Sequence, residues 1–309
     1  MIKEIIKAQK NSIACIAIGD SFYKAWKKNI LPSWIMYCKK NNLGLIVFTS
    51  DLIEKNSIYW KKPTWQRCLV ASEVKKKFSQ VKNICVMDID ILINPYSPNI
   101  FNTMNKNKIN LTSLRHNLPY HYDDTVRKLA YFRKKFLNPK YPLDSLLNCS
   151  LKTLYKLEKL SPQKDELNVG VMVFNIQKFA KKIEKWFYLY KRGLDTTTLG
   201  GCQTILNYLI LKNKYQNLID YRFNSIWVFE VASRFPHILK NLKNPNILND
   251  FVIAILLDNY FLHFAGSGDD GAVWRKKKLL DIKELNVLGR INIYRSRKLK
   301  GLPKIKIKN

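Results

Sequence analysis

The sequence predicts an α/β layer fold, a mostly parallel sheet flanked by helices. Short apolar runs alternate with helical periodicity from residue 11 to residue 90. Those runs are apolar at consecutive positions, the pattern of strands covered on both faces. The third run ends in two acids, which the carboxyl end of a parallel strand would place in the usual ligand crevice.

Asn11 to Ile18 reads as a buried strand, closed by Gly19-Asp20-Ser21. Trp26, Ile30, Trp34 and Cys38 follow, four apart, on one face of a helix. Leu43 to Thr49 is a second strand after the break at Asn41-Asn42. Thr64 to Phe78 is helical, with Leu69, Val70, Val74 and Phe78 on one face. Lys75, Lys76 and Lys77 fall towards its end, where cations suit the helix dipole. Ile84 to Met87 is the third strand and runs into Asp88-Ile89-Asp90.

Residues 102–165 differ in character, being rich in Lys, Tyr, Asn and Leu and broken by Pro119, Pro139, Pro142 and Pro162. They are expected to form short helices and loops inserted over one edge of the sheet. Leu167 to Ile176 returns as a strand, Phe179 to Tyr190 and Gln203 to Leu211 are helical, and Phe251 to Leu257 and Tyr260 to Phe264 are late apolar segments. The expected organisation is one domain over 1–274, with the helical insertion at 102–165, then a basic extension over 275–309.

The composition fits a folded polycation. The 309 residues include 54 Lys and Arg against 23 Asp and Glu, a net charge of +31, yet 47 % are hydrophobic and 12 % aromatic. Such a chain can bury a core and seeks an anionic partner: nucleic acid, a membrane surface or a phosphorylated ligand. No apolar run approaches the ~18 residues of a membrane span. Met1-Ile2-Lys3-Glu4 does not open a secretory signal. None of the six cysteines is in CxxC spacing, which argues against a zinc cage and for free thiols in a reducing cytosol.

Asp88 and Asp90 carry the clearest chemistry. Carboxylates at i and i+2 lie on one side of an extended chain. Two hard oxygen ligands at a strand end suit Mg²⁺ or Mn²⁺ bridging a diphosphate. The ordinary alternative is a strand-terminal turn with solvated acids.

Further motifs follow in order: Asn168-Val169-Gly170, Gly200-Gly201-Cys202-Gln203 with Asn207, Tyr221-Arg222-Phe223-Asn224, and His263-Phe264-Ala265-Gly266. The ordered set resembles nucleotide-sugar-dependent glycosyltransferases of the GT-A fold, in particular glycosyltransferase family 8, the glycogenin and bacterial lipopolysaccharide galactosyltransferase relatives. The resemblance spans Ile13 to Gly266 and implies a Rossmann-type mixed sheet. It implies Asp88, Asp90 and His263 as ligands of Mn²⁺ or Mg²⁺, with Asp88 also touching the donor. Asn168 and Gly170 would line the donor sugar, Gln203 would sit beside the anomeric carbon, and Gly266 would let the backbone approach the phosphates. Asp20 and Tyr23 resemble positions that hold the nucleobase and ribose, and Arg67 a basic residue on the donor.

Two departures stand out. Cys202 occupies the place of the acid that usually precedes the Gln, and the Lys-Pro-Trp expected after His-any-any-Gly is absent. Arg275 or Lys276 could supply the missing diphosphate cation. The implied reaction moves a hexose, with UDP-sugar as the expected donor, to a saccharide or lipid-linked saccharide acceptor with retention of configuration. Asp269, Asp270 and Glu230 stay open as an inverting base, and Arg115, His116 and His121 as acceptor contacts.

Two rival readings use the same residues. Haloacid-dehalogenase-type phosphatases pair a strand-end Asp-any-Asp with a late Gly-Asp-Asp, here Gly268-Asp269-Asp270. The charge also suits a nucleic-acid-binding protein, although no helix-turn-helix, zinc-finger or RNA-recognition signature accompanies it, and no specific nucleic acid is expected. From Arg275 onward thirteen Lys and Arg face only Asp281 and Glu284. With Leu279, Leu280, Val287, Leu288, Ile291, Tyr294 and Leu299 they suggest an interfacial helix on an anionic membrane. The expected location is cytoplasmic, peripheral on the inner face of the membrane.

Overall fold

The structure is a computed structural model that describes residues 1–143, 149–191, 201–266, 268, 270–276 and 279–289. Strands β1 (Ile2–Ile6), β2 (Asn11–Ile16), β3 (Gly44–Phe48), β4 (Asn83–Met87), β6 (Ile109–Ser113), β7 (Leu167–Asn175) and β8 (Gln216–Leu218) form one sheet, in the order β1-β3-β2-β4-β7-β6-β8. A smaller sheet joins β5 (Ile91–Ile93), β10 (Phe261–His263) and β9 (Ser225–Ile226) in that order.

Strands β2, β3, β4, β6 and β8 run one way and β1 and β7 the other. The sheet is therefore mixed and mostly parallel, as expected, with β7 wedged antiparallel between β4 and β6. Both faces are covered. Along β4, Cys85 and Met87 point into one apolar cluster and Ile84 and Val86 into the other; along β7, Val171 and Val173 alternate likewise with Met172 and Phe174. Period-two alternation with both faces apolar is why these strands read as continuous hydrophobic runs. Helices Pro63–Lys77 and Ile176–Tyr188 lie on one face. Helices Asp20–Asn29, Leu31–Lys40, Trp227–Arg234 and Pro245–Asp258 lie on the other, with the small sheet.

Several expectations need correction. Trp26, Ile30, Trp34 and Cys38 are all fully buried, but they sit on two helices broken at Ile30. Pro32 has no N–H to donate and its ring crowds the preceding turn, so the helix restarts there. Residues 102–165 are not wholly an insertion, because β6 lies inside them and pairs with β7 and β8 in the central sheet. Its polar Asn110 hides it: the side chain is buried and donates to Val173 O at 2.8 Å. The rest of the segment is helical over Tyr122–Phe132, Arg133–Leu137 and Leu151–Leu157.

The basic extension does not begin at 275 as a separate element. Leu279, Leu280, Leu285 and Leu288 are buried in the core beside the small sheet. Leu279, Leu280 and Leu288 are thus spent on packing and do not form a lipid-facing row; Ile291, Tyr294 and Leu299 lie outside the described residues. Among the described residues no helix is long and apolar enough to cross a membrane. All six cysteines are free thiols.

Candidate metal centre

Asp88 and Asp90 occupy the turn between β4 and β5, at the carboxyl edge of the sheet. The β4–β7 ladder runs one step past Met87, since Asp88 N donates to Gly170 O at 2.9 Å. The turn is held from the other side by β10. In the small sheet His263 lies opposite Ile91, and Phe264 N donates to Asp90 O at 2.8 Å. Trp34 Nε1 fixes the Ile91 carbonyl at 2.6 Å. This pairing is how a histidine far along the chain reaches the acid pair.

His263 Nε2 lies 3.3 Å from Asp90 Oδ1 and 3.8 Å from Asp88 Oδ2. One ligand atom from each of the three residues falls within 4.8 Å of the others. The ring is only 4 % exposed, and Gly170 makes room for it: a Cβ there would overlap His263 Cε1. Apart from that 3.3 Å approach of His263 Nε2, the buried Asp90 Oδ1 makes no hydrogen bond among the described residues. That oxygen faces only the His263 imidazole, and a cation seated between the two would complete its partners. Two carboxylate oxygens and an imidazole nitrogen fit Mn²⁺ or Mg²⁺ in donor type.

Charge in the site is finely opposed. Arg67, from helix Pro63–Lys77, donates to Asp88 Oδ1 and also to Val169 O, the latter at 2.8 Å. Burial pushes the Asp88 carboxyl above its ordinary value, against the pull of Arg67. Burial lowers His263, but Asp90 and Asp88 more than offset it and hold the imidazole above its ordinary value.

A cavity of about 350 Å³ opens beside the acids, lined by Asp88, Asp90, Arg67, Lys62, Thr64, Phe22 and Trp274 among others. Phe22 and Trp274 lie with ring centroids 6.4 Å apart, and the Arg275 guanidinium sits 4.7 Å from the Phe22 centroid. Sequence reasoning missed Phe22, Lys62 and Trp274 as cavity residues, because only the tertiary fold brings their segments together.

The other expected residues are placed as follows. Gln203 is bound to the β7 backbone, its Oε1 accepting from Val169 N at 3.2 Å and its Nε2 donating to Leu167 O at 3.0 Å. Asn168 is buried, and its Oδ1 accepts from Gly170 N at 2.7 Å. Gly266 has φ +106, a conformation that glycine adopts without strain. Asp20 is exposed at the start of its helix and Tyr23 packs on Trp26; Phe22, rather than either, lines the cavity. Arg115 pairs with Glu166 at 2.7 Å and stacks on Tyr122. His116 Nε2 lies 3.3 Å from Lys164 O, and His121 is exposed beside Asp124. Asp270 does not join the acids: it forms a buried two-point ion pair with Arg133, at 2.7 and 3.2 Å. Glu230 is buried between Ser225 and Arg234. Asp269 and the Lys276 side chain lie outside the described residues.

No protein-family model matches the sequence, and no curated protein matches it. Solved structures do. A glycosyltransferase involved in glycosylation of the major capsid of PBCV-1 superposes with a TM-score of 0.50 at 12 % identity, over 86 % of this chain and 97 % of that one. The glycosyltransferase GlyE of Streptococcus pneumoniae TIGR4 gives 0.43 at 13 % identity, over 97 % and 67 %. The galactosyltransferase LgtC, solved with donor and acceptor sugar analogues, gives 0.43 at 13 % identity, over 95 % and 98 %. The chain has a GT-A fold. That architecture and the converging Asp88, Asp90 and His263 accord with the resemblance drawn from the sequence.

Proposed function

We propose that the protein is a metal-dependent glycosyltransferase that moves a hexose from a nucleotide diphosphate sugar to a saccharide acceptor. The observation that carries this reading is the convergence of Asp88, Asp90 and His263 at the carboxyl edge of the sheet, beside a cavity edged by Arg67 and Lys62. When bound there, Mn²⁺ or Mg²⁺ would neutralise the departing diphosphate. This chain's own residues orient the set: Arg67 holds Asp88, and β10 presents His263. Phe22 and Trp274 offer apolar faces on which a nucleobase can stack.

Retention of configuration is the favoured outcome. An inverting transfer needs a carboxylate base free to meet the incoming hydroxyl. Of the three candidates, Asp270 is committed to Arg133 and Glu230 to Ser225 and Arg234, while Asp269 lies outside the described residues. The phosphatase reading is weakened by the same ion pair, which keeps Asp270 from serving as a late metal ligand. UDP-sugar is the expected donor. The acceptor is a glycan or a lipid-linked glycan presented at an anionic surface, to which the net charge of +31 is suited.

The test is a thermal-shift and donor-hydrolysis panel of nucleotide diphosphate sugars with Mn²⁺, with Mg²⁺ and with chelator, run on the wild type and Asp90→Asn. One nucleotide should stabilise the protein selectively and only with metal, and its sugar should be released by the wild type alone. Turnover that persists in excess chelator would overturn the reading.

A further inference from the structure

His263 has a second ring nitrogen, and the structure settles what it does. Asn224 Oδ1 lies 2.8 Å from His263 Nδ1. Asn224 Nδ2 donates to Asn168 Oδ1 at 2.9 Å, and the same Asn168 oxygen accepts from Gly170 N at 2.7 Å. The direction of this chain of bonds is fixed at its far end, because a backbone N–H can only donate. Asn168 must therefore present its oxygen, Asn224 must answer with its amide NH₂, and the Asn224 oxygen must face the imidazole. Nδ1 then carries the hydrogen in every protonation state of the ring. Nε2 is left as the nitrogen that takes a proton or a cation, and it is the one facing Asp90 and Asp88.

We infer, on the metal-dependent reading proposed above, that Asn224 and Asn168 are positioning residues that lock His263 in the Nδ1–H tautomer and aim Nε2 at the ion. This gives Asn168 a role apart from the donor sugar, since its oxygen is committed inside the fold and the residue is only 6 % exposed. The arrangement is economical in backbone terms. Asn224 closes the turn Tyr221–Asn224 immediately before β9, and β9 pairs with β10, Ile226 opposite His263. Asn168 and Gly170 belong to β7, which borders β4. The relay thus ties the small sheet to the large one across the metal centre. Partners that orient a ligating histidine from outside the ligand shell typically contribute 10–100-fold to metal affinity.

The experiment uses the full chain and two readouts. First, the ring ¹⁵N shifts of His263 in metal-free wild type are recorded at alkaline pH, where the imidazole is neutral, and assigned by their loss in His263→Gln. Nδ1 should be of the protonated type and Nε2 of the unprotonated type; the reverse overturns the inference without any variant having to fold. Second, Mn²⁺ is titrated calorimetrically into wild type, Asn224→Leu and Asn224→Asp. Asn224→Leu should bind about 10–100-fold more weakly. Asn224→Asp keeps an acceptor on Nδ1 and should lie closer to the wild type. Equal affinity of Asn224→Leu and wild type would overturn the positioning role. Failure of the wild type to bind Mn²⁺ would instead reject the metal reading, and the tautomer measurement would still decide the relay.

Discussion

The imidazole of His263 occupies the space that any side chain on residue 170 would need. Glycine is required on β7 here by close approach rather than by backbone conformation. Gly170→Ala should push the ring away from Asp90, lowering Mn²⁺ affinity at least about tenfold while leaving the sheet intact. Calorimetric titration, with far-UV dichroism as the folding control, checks this; unchanged affinity would show that the ring can yield without leaving the ion.

Arg133 and Asp270 form an ion pair that is almost wholly enclosed, with Asp270 only 1 % exposed. Removing one partner strands a charge, at a cost of about 3–5 kcal/mol, whereas replacing both with apolar residues of similar volume can be neutral. Denaturant melts of Asp270→Leu, Arg133→Met and the double variant should therefore show two unstable singles and a double close to wild type. Additive losses would contradict the pairing.

Burial raises the Glu230 carboxyl against the pull of Ser225 and Arg234. A carboxylate whose folded value lies above its unfolded one is worst placed when ionised. Its contribution is favourable at acid pH and is lost as pH rises from the ordinary carboxylate value through the raised folded one. Glu230→Gln mimics the neutral form. It should melt at or above the wild-type temperature at pH 7, with an advantage that vanishes towards pH 4, as read by calorimetry across that range. A variant that grows relatively weaker at pH 7 would reverse the sign.

Residues 290–309 carry eight Lys and Arg and no acid. Each basic residue near an anionic bilayer can contribute about 1 kcal/mol before screening. Truncation after Gly289 leaves the buried Leu279, Leu280, Leu285 and Leu288 in place. It should reduce cosedimentation with phosphatidylserine vesicles while sparing donor hydrolysis. Retained vesicle binding would place the attraction on residues 1–289.

The acid pair and His263 were legible because their chemistry is carried by residue type and order. Strands β2, β3, β4 and β7 were legible because both faces are apolar. The missed features share a cause: their meaning lies in partners distant in sequence. β1 has a half-polar pattern, Ile2-Lys3-Glu4-Ile5-Ile6, because among the described residues it lies at the sheet edge and pairs with β3 alone. In β6, Asn110 counts as polar until Val173 is beside it to accept its amide. Asn224 stood within a motif, but nothing local says that its amide orients a ring on another strand. The break at Ile30 did have a local signal, Pro32, which the regular spacing of large apolar residues masked.

The Arg133–Asp270 bridge has a consequence for engineering. It bolts the helical segment after β6 to the stretch leading from His263 to Trp274, and Asn29 Nδ2 grips the Trp274 carbonyl at 2.7 Å from the opposite side. A chimera that imports a new 122–141 module from another protein of this fold would therefore sever this joint unless the 264–276 stretch travels with it as one cassette.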